Sequence, residues 1–195
     1  VTLDYLAATG KPIIISSGMS TLEELDKMID FLKRREAEVI LLHCVSKYPC
    51  PPEHLNLGTI EFLKNRYNIP VGFSDHSIGI DSSLAAVALG AKVIEKHFSF
   101  SRDLWGADHK VSMTPGELRG LVDGIRALEK NPAFKDEYLA KDIVKKGMGE
   151  GTKVLQDDEA VFRPYFRKSL MAGEDIPAGT LVKADMLFAM RPQAH

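Results

Sequence analysis

Short apolar runs alternate with longer amphipathic segments along the first two-thirds of the chain. The apolar runs are typical of buried strands, and the longer segments carry apolar residues at helical spacing. Strands are predicted at residues 12–15, 39–42, 71–74 and 93–97, and helices at residues 3–8, 21–34, 60–67, 82–89 and from 114 to about 128. Ser20 with Glu23 predicts a capping box for the helix at 21–34, and Pro115 marks the start of the last helix.

Repeated strand and helix pairs predict an α/β fold, because parallel strands need a crossover that is usually a helix. Four such units form half of a (β/α)8 TIM barrel, and a complete barrel takes about 250 residues. The chain opens inside a helix, as expected of a barrel whose first half is missing. We therefore assign residues 1–130 to the carboxy-terminal half of a barrel. An open four-stranded α/β sheet is the alternative.

The remainder of the chain changes character. Residues 131–160 are charged and contain glycines, which indicates a linker or a loosely packed helix and turn. Residues 161–195 contain short β-type pieces at 167–172, 180–182 and 187–189, separated by turn residues. This last segment is predicted to be a partial, small β-rich domain.

Composition narrows the functional class. The chain has 195 residues, 45% hydrophobic and 27% charged, which is typical of a globular protein. The net charge of −2 gives no electrostatic case for nucleic acid or an anionic membrane. There is no apolar run long enough for a transmembrane helix and no signal-peptide pattern. Cys44, in an apolar run, and Cys50, in a loop, are too few for a disulfide framework, so a cytoplasmic location is expected.

Histidines end two successive predicted strands. His76 follows the strand at 71–74 and His97 ends the strand at 93–97. Neighbouring parallel strands lie roughly 4.8 Å apart, so the two side chains should meet at the carboxyl edge of the sheet. They could form a divalent metal site, to which Asp75, Asp108 and His109 would add polar groups. The alternative is one buried, hydrogen-bonded histidine and one loop histidine.

Five stretches and a carboxy-terminal segment carry a specific resemblance. The stretches are KPIIISSGMSTLEEL, LLHCVSKYPCPPEHLNL, VGFSDHSIGI, ALGAKVIEKHF and GADHKVSM, and the segment is RKSLMAGEDIPAGTLVKADMLFAMRP. They are similar, in order, to motifs of the sialic acid synthase family: the bacterial N-acetylneuraminate synthases and their pseudaminic and legionaminic acid relatives. The final segment resembles the start of the antifreeze-like (SAF) domain that follows the barrel in that family.

The resemblance implies an enzyme, a transferase that condenses phosphoenolpyruvate with an N-acetylated amino sugar such as N-acetylmannosamine. The products would be a nine-carbon 2-keto sugar acid and phosphate. It also implies a homodimer in which each SAF domain caps the barrel of the partner. Mn²⁺ or another divalent cation is the implied cofactor, bound by His76 and His97, where it would polarise the sugar aldehyde as a Lewis acid.

Further site residues follow from the same motifs. Asp108 matches an acidic residue beside the metal and the sugar, which could assist proton transfer. Ser16 and Ser74 match serines that bind phosphoenolpyruvate. Tyr48 and Arg191 match residues that contact the amino sugar, the arginine reaching it from the SAF domain of the partner.

The chain departs from the family pattern at three places. Ser46 stands where N-acetylneuraminate synthases usually have Asn, so the sugar that this residue would contact is open. After Arg191 and Pro192 the expected glycine-rich continuation is replaced by Gln193, Ala194 and His195. The family's lysines from the first half-barrel are missing, so this chain by itself is expected to bind phosphoenolpyruvate poorly and to be inactive.

Other interpretations remain open at this point. The chain could be a non-catalytic sugar-binding or regulatory fragment, or a synthase that uses a phosphorylated aldose, although the latter families lack a SAF domain. Exposed sheet edges predict an unstable or self-associating fragment. His43 could face the barrel mouth or a helix, His54 is expected in a solvated loop, and His109 could support Asp108.

Overall fold

The computed structural model describes residues 2–191, and these divide into two compact units, one ending at Leu155 and the other beginning at Gln156. The first unit contains a four-stranded parallel sheet in the order β1-β2-β3-β4. Its strands are β1 Ile13–Ser16, β2 Val39–Cys44, β3 Val71–Asp75 and β4 Ile94–Lys96. Its first five helices are α1 Thr2–Ala8, α2 Leu22–Lys33, α3 Thr59–Tyr67, α4 Asp81–Ala88 and α5 Pro115–Lys130. The predicted parallel α/β half-barrel sheet is therefore confirmed.

One face of the sheet forms the main hydrophobic core. Strand residues that are partners across the parallel ladder share a face, and alternate residues point to opposite faces. Leu41 is paired with Val71, and both are buried in the cluster that includes Leu25 and Ile29 of α2. On the other face Ile14 of β1 is 55% exposed. The helices thus cover only one side of these four strands.

The start of α2 differs from the prediction by one residue. Thr21, not Ser20, is the N-cap, and it forms the capping box with Glu24 instead of Glu23. The Thr21 hydroxyl accepts from the Glu24 N–H at 3.3 Å, and the Glu24 carboxylate accepts from the Thr21 N–H at 3.0 Å. Ser20 instead donates to the carbonyl of Gly18. Helix α5 begins at Pro115, as predicted, and Thr114 and Glu117 form a capping box there that was not predicted.

Most of the segment expected to be a linker is folded into the first unit. It contains α6 Phe134–Leu139 and α7 Asp142–Gly147, and Val144 is 1% exposed. The N–H of Leu57 donates to the Gly147 carbonyl at 2.8 Å, so α7 is tied to the loop after β2. The division between the compact units falls after Leu155, within the residues that the sequence assigned to the linker.

The second unit contains α8 Asp157–Phe166 and an antiparallel pair, β5 Ser169–Ala172 with β6 Leu187–Met190. The predicted strand at 180–182 is wrong. Gly179, with φ of +85°, forms a turn in which the Thr180 N–H donates to the Pro177 carbonyl, and the following apolar residues have no partner strand. The departures predicted at residues 192–195 lie outside the described residues. Within residues 2–191 no helix has both the length and the apolar character to cross a bilayer.

Candidate active site

The two strand-end histidines lie side by side at the carboxyl edge of the sheet. The ring centroids of His76 and His97 are 5.5 Å apart, with the rings edge to face. The Tyr48 ring lies 4.0 Å from that of His76 and 5.7 Å from that of His97. Because β3 and β4 are parallel neighbours, the residues that follow their last positions lie next to each other at the carboxyl edge of the sheet. The structure thus brings His76, His97 and Tyr48 into one cluster, from three separate sequence motifs.

Hydrogen bonding fixes which nitrogen of His76 is available to a ligand. His76 Nδ1 lies 2.8 Å from the carbonyl oxygen of Val45, so it must be the protonated nitrogen that donates. The other ring nitrogen, Nε2, then keeps its lone pair. The His76 carbonyl in turn accepts from the Cys50 N–H at 2.9 Å. Both bonds join His76 to the loop after β2, which carries Ser46 and Tyr48.

Ser74 points to the same side as the histidines and is engaged by a carboxylate. Ser74 and Glu95 are ladder partners on β3 and β4, and the Ser74 hydroxyl donates to Glu95 Oε1 at 2.6 Å. Ser74 is 3% exposed, whereas Glu95 is exposed. Glu95 was not among the predicted site residues. Its position two residues before His97, on the same side of β4, is the signal that could have found it.

A buried ion pair lies directly behind the histidines. Lys96 Nζ is 2.9 Å from Asp75 Oδ2, and the two side chains are 2% and 0% exposed. Sequence reasoning noted Asp75 only as a nearby polar group and did not consider Lys96. Charged residues are almost never fully buried unless they are paired, so each of these two side chains depends on the other for its buried position.

The loop after β1 packs against the loop after β2. The Cys44 N–H donates to Ser17 Oγ at 3.2 Å. Gly18 lies so close to the second loop that a Cβ there would be 2.5 Å from Ser46 Oγ. Ser16, the predicted phosphoenolpyruvate residue, is exposed, and its hydroxyl accepts from the Gly18 N–H at 3.4 Å. Ser46 is therefore close to the Ser16 loop.

Asp108 lies apart from any complete metal-ligand set. It is exposed and begins a short 3-10 turn, Asp108–Val111. Neighbouring His109 does not support it: His109 Nδ1 instead lies 2.7 Å from the Ser99 hydroxyl. Within residues 2–191, no group of three or more His, Cys, Asp and Glu side chains is arranged to hold a metal ion. Arg191 is exposed in the second unit, with its guanidinium carbon 5.9 Å from the Phe166 ring centroid.

His43 faces the helices and not the histidine cluster. It is 1% exposed, its ring stacks on Phe73 at 5.7 Å, and its Nε2 is 2.7 Å from the Leu55 carbonyl oxygen. The pKa of His43 is lowered from 6.5 to about 4: burial is the main cause, the bond to Leu55 opposes it, and the positive charge of Lys153 adds to it. His43 is thus a neutral core residue. His54 is half-buried in a 3-10 turn, Pro52–His54, and not in the solvated loop expected.

Both histidine ligand candidates fit a divalent cation in chemistry and spacing. A bound imidazole nitrogen lies about 2.1 Å from its metal, and the His76 and His97 ring centroids, 5.5 Å apart, are close enough for one ion between them. Hydrogen bonding of Nδ1 to a carbonyl is the usual way in which a metal-binding histidine is oriented.

These features define the chain as an α/β half-barrel protein: a parallel sheet has helices on one face. The candidate chemistry lies at the carboxyl edge of this sheet, where the histidines, an aromatic ring and a serine–glutamate pair meet. Residues 1–136 match the NeuB family. The chain belongs to the NeuB family.

Several relatives are synthases of legionaminic acid, N-acetylneuraminate 9-phosphate or pseudaminic acid. The chain is 38% identical over 193 residues to the N,N'-diacetyllegionaminic acid synthase of Campylobacter jejuni, covering 97% of this chain and 53% of that protein. Its fold is similar to the spore coat polysaccharide biosynthesis protein SpsE of Bacillus subtilis, with a TM-score of 0.86 and 32% identity, covering 98% of this chain and 54% of the other.

A solved N-acetylneuraminic acid (sialic acid) synthetase is also similar. The enzyme from Leptospira borgpetersenii, in complex with citrate, has a TM-score of 0.63 and 35% identity, covering 82% of this chain and 50% of that one. The chain therefore spans about half the length of the curated relatives that it matches.

Proposed function

We propose that this chain carries half of the active site of a synthase that condenses phosphoenolpyruvate with an N-acetylated amino sugar. The reaction would yield a nine-carbon 2-keto sugar acid and inorganic phosphate. The observation that carries the proposal is the cluster of His76, His97 and Tyr48 at the carboxyl edge of the sheet, in a chain of the NeuB family. N-acetylmannosamine and the precursors of legionaminic and pseudaminic acid are the candidate sugars.

His76 and His97 would hold Mn²⁺ or another divalent cation. When bound, the ion would act as a Lewis acid on the sugar aldehyde. The protein's part is to orient His76 through the bond from Nδ1 to the Val45 carbonyl, which in the neutral ring leaves the lone pair on Nε2 for the ion. Tyr48, 51% exposed beside both rings, offers an apolar surface and a hydroxyl to a sugar.

Phosphoenolpyruvate would bind between the ends of β1 and β3. The exposed Ser16 hydroxyl uses a lone pair to accept from Gly18, so its hydrogen is available to an anion. The Ser74 hydroxyl hydrogen is directed at Glu95 instead. We expect Glu95 to release Ser74 when the anion binds, so that the Ser74 hydroxyl can donate to it. Ser46, close to the Ser16 loop, would contact the sugar.

Three further parts of the proposal rest on the resemblance. Asp108 would assist proton transfer near the sugar, in a loop that is exposed in this chain. Residues 156–195 would belong to a SAF domain, and Arg191 would reach the sugar in the partner subunit of a homodimer. The enzyme would work in the cytoplasm, where phosphoenolpyruvate is available.

Phosphate release tests the proposal. The chain, and a version extended upstream to a complete barrel, are incubated with Mn²⁺, phosphoenolpyruvate and a panel of N-acetylated amino sugars. We expect release only from the extended version. His76→Ala in that version should lower the rate by about 100-fold or more, because loss of even an outer partner of a metal ligand costs about 10–100-fold. His54→Ala, outside the cluster, is the matched control. Full activity of His76→Ala without added metal would overturn the proposal.

A further inference from the structure

The residue before each histidine takes part in one buried ion pair. Asp75 precedes His76 and Lys96 precedes His97, and the two are ladder partners on β3 and β4. Their charged atoms are 2.9 Å apart and their side chains are 0% and 2% exposed. Side chains alternate along a strand, so the pair lies on the helix-facing side of the sheet while the histidines stand at its end.

The carboxylate of Asp75 has every acceptor position filled. Oδ1 accepts from the N–H of Ser77 at 2.8 Å and from its hydroxyl at 2.7 Å. Oδ2 accepts from the Ser83 hydroxyl at 2.6 Å and from Lys96. Lys96 also donates to the Ser77 carbonyl at 2.5 Å. A carboxylate has about four lone-pair sites, and all four are used here. One side chain therefore joins β3, β4, the loop after His76 and the first turn of α4.

β4 is a short strand at the edge of the described sheet, and after it the Met113 N–H donates to the His97 carbonyl at 2.8 Å. The strand has three residues and, within the described sheet, only β3 as a neighbour. The three ladder pairs are Phe73 with Ile94, Ser74 with Glu95, and Asp75 with Lys96. The ion pair is the last of these before the chain reaches His97. His76 directly follows Asp75, and His97 directly follows Lys96. Each residue has only two freely rotating backbone dihedrals, so the position of the ion pair limits where the histidines can lie.

We propose that Asp75 and Lys96 are positioning residues for the histidine pair. By fixing the last ladder position of β3 and β4, they set the spacing of His76 and His97 and the orientation in which the rings meet a cation. The part that concerns ring spacing stands on the geometry alone. The part that concerns metal affinity rests on the proposed function.

Lys96→Met tests the inference, because methionine keeps the length and apolar stem of lysine but cannot pair with Asp75. Lys141→Met is the matched control, since Lys141 forms the partly exposed ion pair with Asp81. Ring spacing is measured by the NOE between His76 and His97 ring protons in the metal-free chain. Mn²⁺ affinity is measured separately, from the free-ion EPR signal. Circular dichroism confirms that each variant is folded at the temperature used.

We expect Lys96→Met to lose or weaken the ring-to-ring NOE and to bind Mn²⁺ about 10–100-fold more weakly, the range seen when an outer partner of a metal site is removed. Lys141→Met should change neither. If Lys96→Met is unfolded, the double variant Asp75→Asn, Lys96→Met is used instead, because it leaves no buried charge without a partner. The same loss of NOE and of Mn²⁺ affinity is expected.

Two outcomes would overturn the inference: a folded variant with the NOE and Mn²⁺ affinity of the unchanged chain, or an unchanged chain that shows no NOE between the two rings. Failure of the proposed function has a different signature. If neither the unchanged chain nor His76→Ala lowers the free-ion EPR signal of Mn²⁺, the metal site is refuted. The NOE alone then decides whether Asp75 and Lys96 position the rings.

Discussion

Acidification should destabilise the first compact unit through His43. The ring is buried among core residues, and its Nε2–H donates to the Leu55 carbonyl. Its Nδ1 is buried and has no hydrogen-bond partner in the described part of the chain. A second proton on this ring would therefore be buried without an acceptor, close to the positive charge of Lys153. The unfolded chain carries no such penalty.

The size of the effect follows from the difference in pKa between the folded and unfolded chain. The pKa of His43 is about 4 when folded, against an ordinary value of 6.5. Between these values the unfolded chain binds more protons, so the free energy of unfolding is intact above pH 6.5 and falls as the pH drops toward 4. The loss from this one group is about 2 kcal/mol at pH 5 and approaches about 3 kcal/mol below pH 4.

Urea unfolding followed by circular dichroism at several pH values between 8 and 5 measures this loss. Other groups titrate in the same range, so the comparison is with His43→Gln, whose amide can donate to Leu55 but does not titrate. We expect the free energy of unfolding of the unchanged chain to fall more steeply with acid than that of His43→Gln, by about 2 kcal/mol at pH 5. Equal pH dependence in both chains would refute the reasoning.

Two further expectations concern other parts of the structure. Trp105 is the single tryptophan and is 99% exposed, so acrylamide should quench its fluorescence as strongly as that of a free indole derivative, and shielding would contradict the exposure. Gly149→Ala should lower the free energy of unfolding by about 1–3 kcal/mol, because Gly149 has a φ of +63° and a Cβ there would overlap the Asn56 side chain. Gly116→Ala, whose Cβ would meet open space, should cost little in the same urea titration.

The order of strands and helices in the first unit could be predicted from sequence because the strands are compact apolar runs and helices such as α2 and α5 have apolar residues at helical spacing. The meeting of His76 and His97 followed from the same reasoning, since strand ends in a parallel sheet share an edge. The N-cap of α2 was misplaced by one residue because Ser20 and Thr21 are both good caps, and both are followed three residues later by a glutamate.

The remaining features depend on tertiary contacts that leave little trace in the local pattern. The two helices at 134–147 are short and charged, and the first unit holds them through Val144 and the bond from Leu57 to Gly147. Leu181 and Val182 have strand propensity, but within residues 2–191 they pair with no strand. The Asp75–Lys96 pair was missed because a lone charged residue is normally read as exposed, and only the ladder register shows that the two meet.

The loop after β2 is held to one histidine at both of its ends. Its first residue, Val45, accepts from the His76 ring, and Cys50 donates to the His76 backbone. Tyr48 and Ser46 lie between these anchors. Lengthening or shortening this segment would therefore displace His76 as well, whereas exchanging a side chain within it would not. Substitution at positions such as Ser46 can therefore alter the chemistry of this loop, while the length of the loop stays fixed by the histidine that it holds.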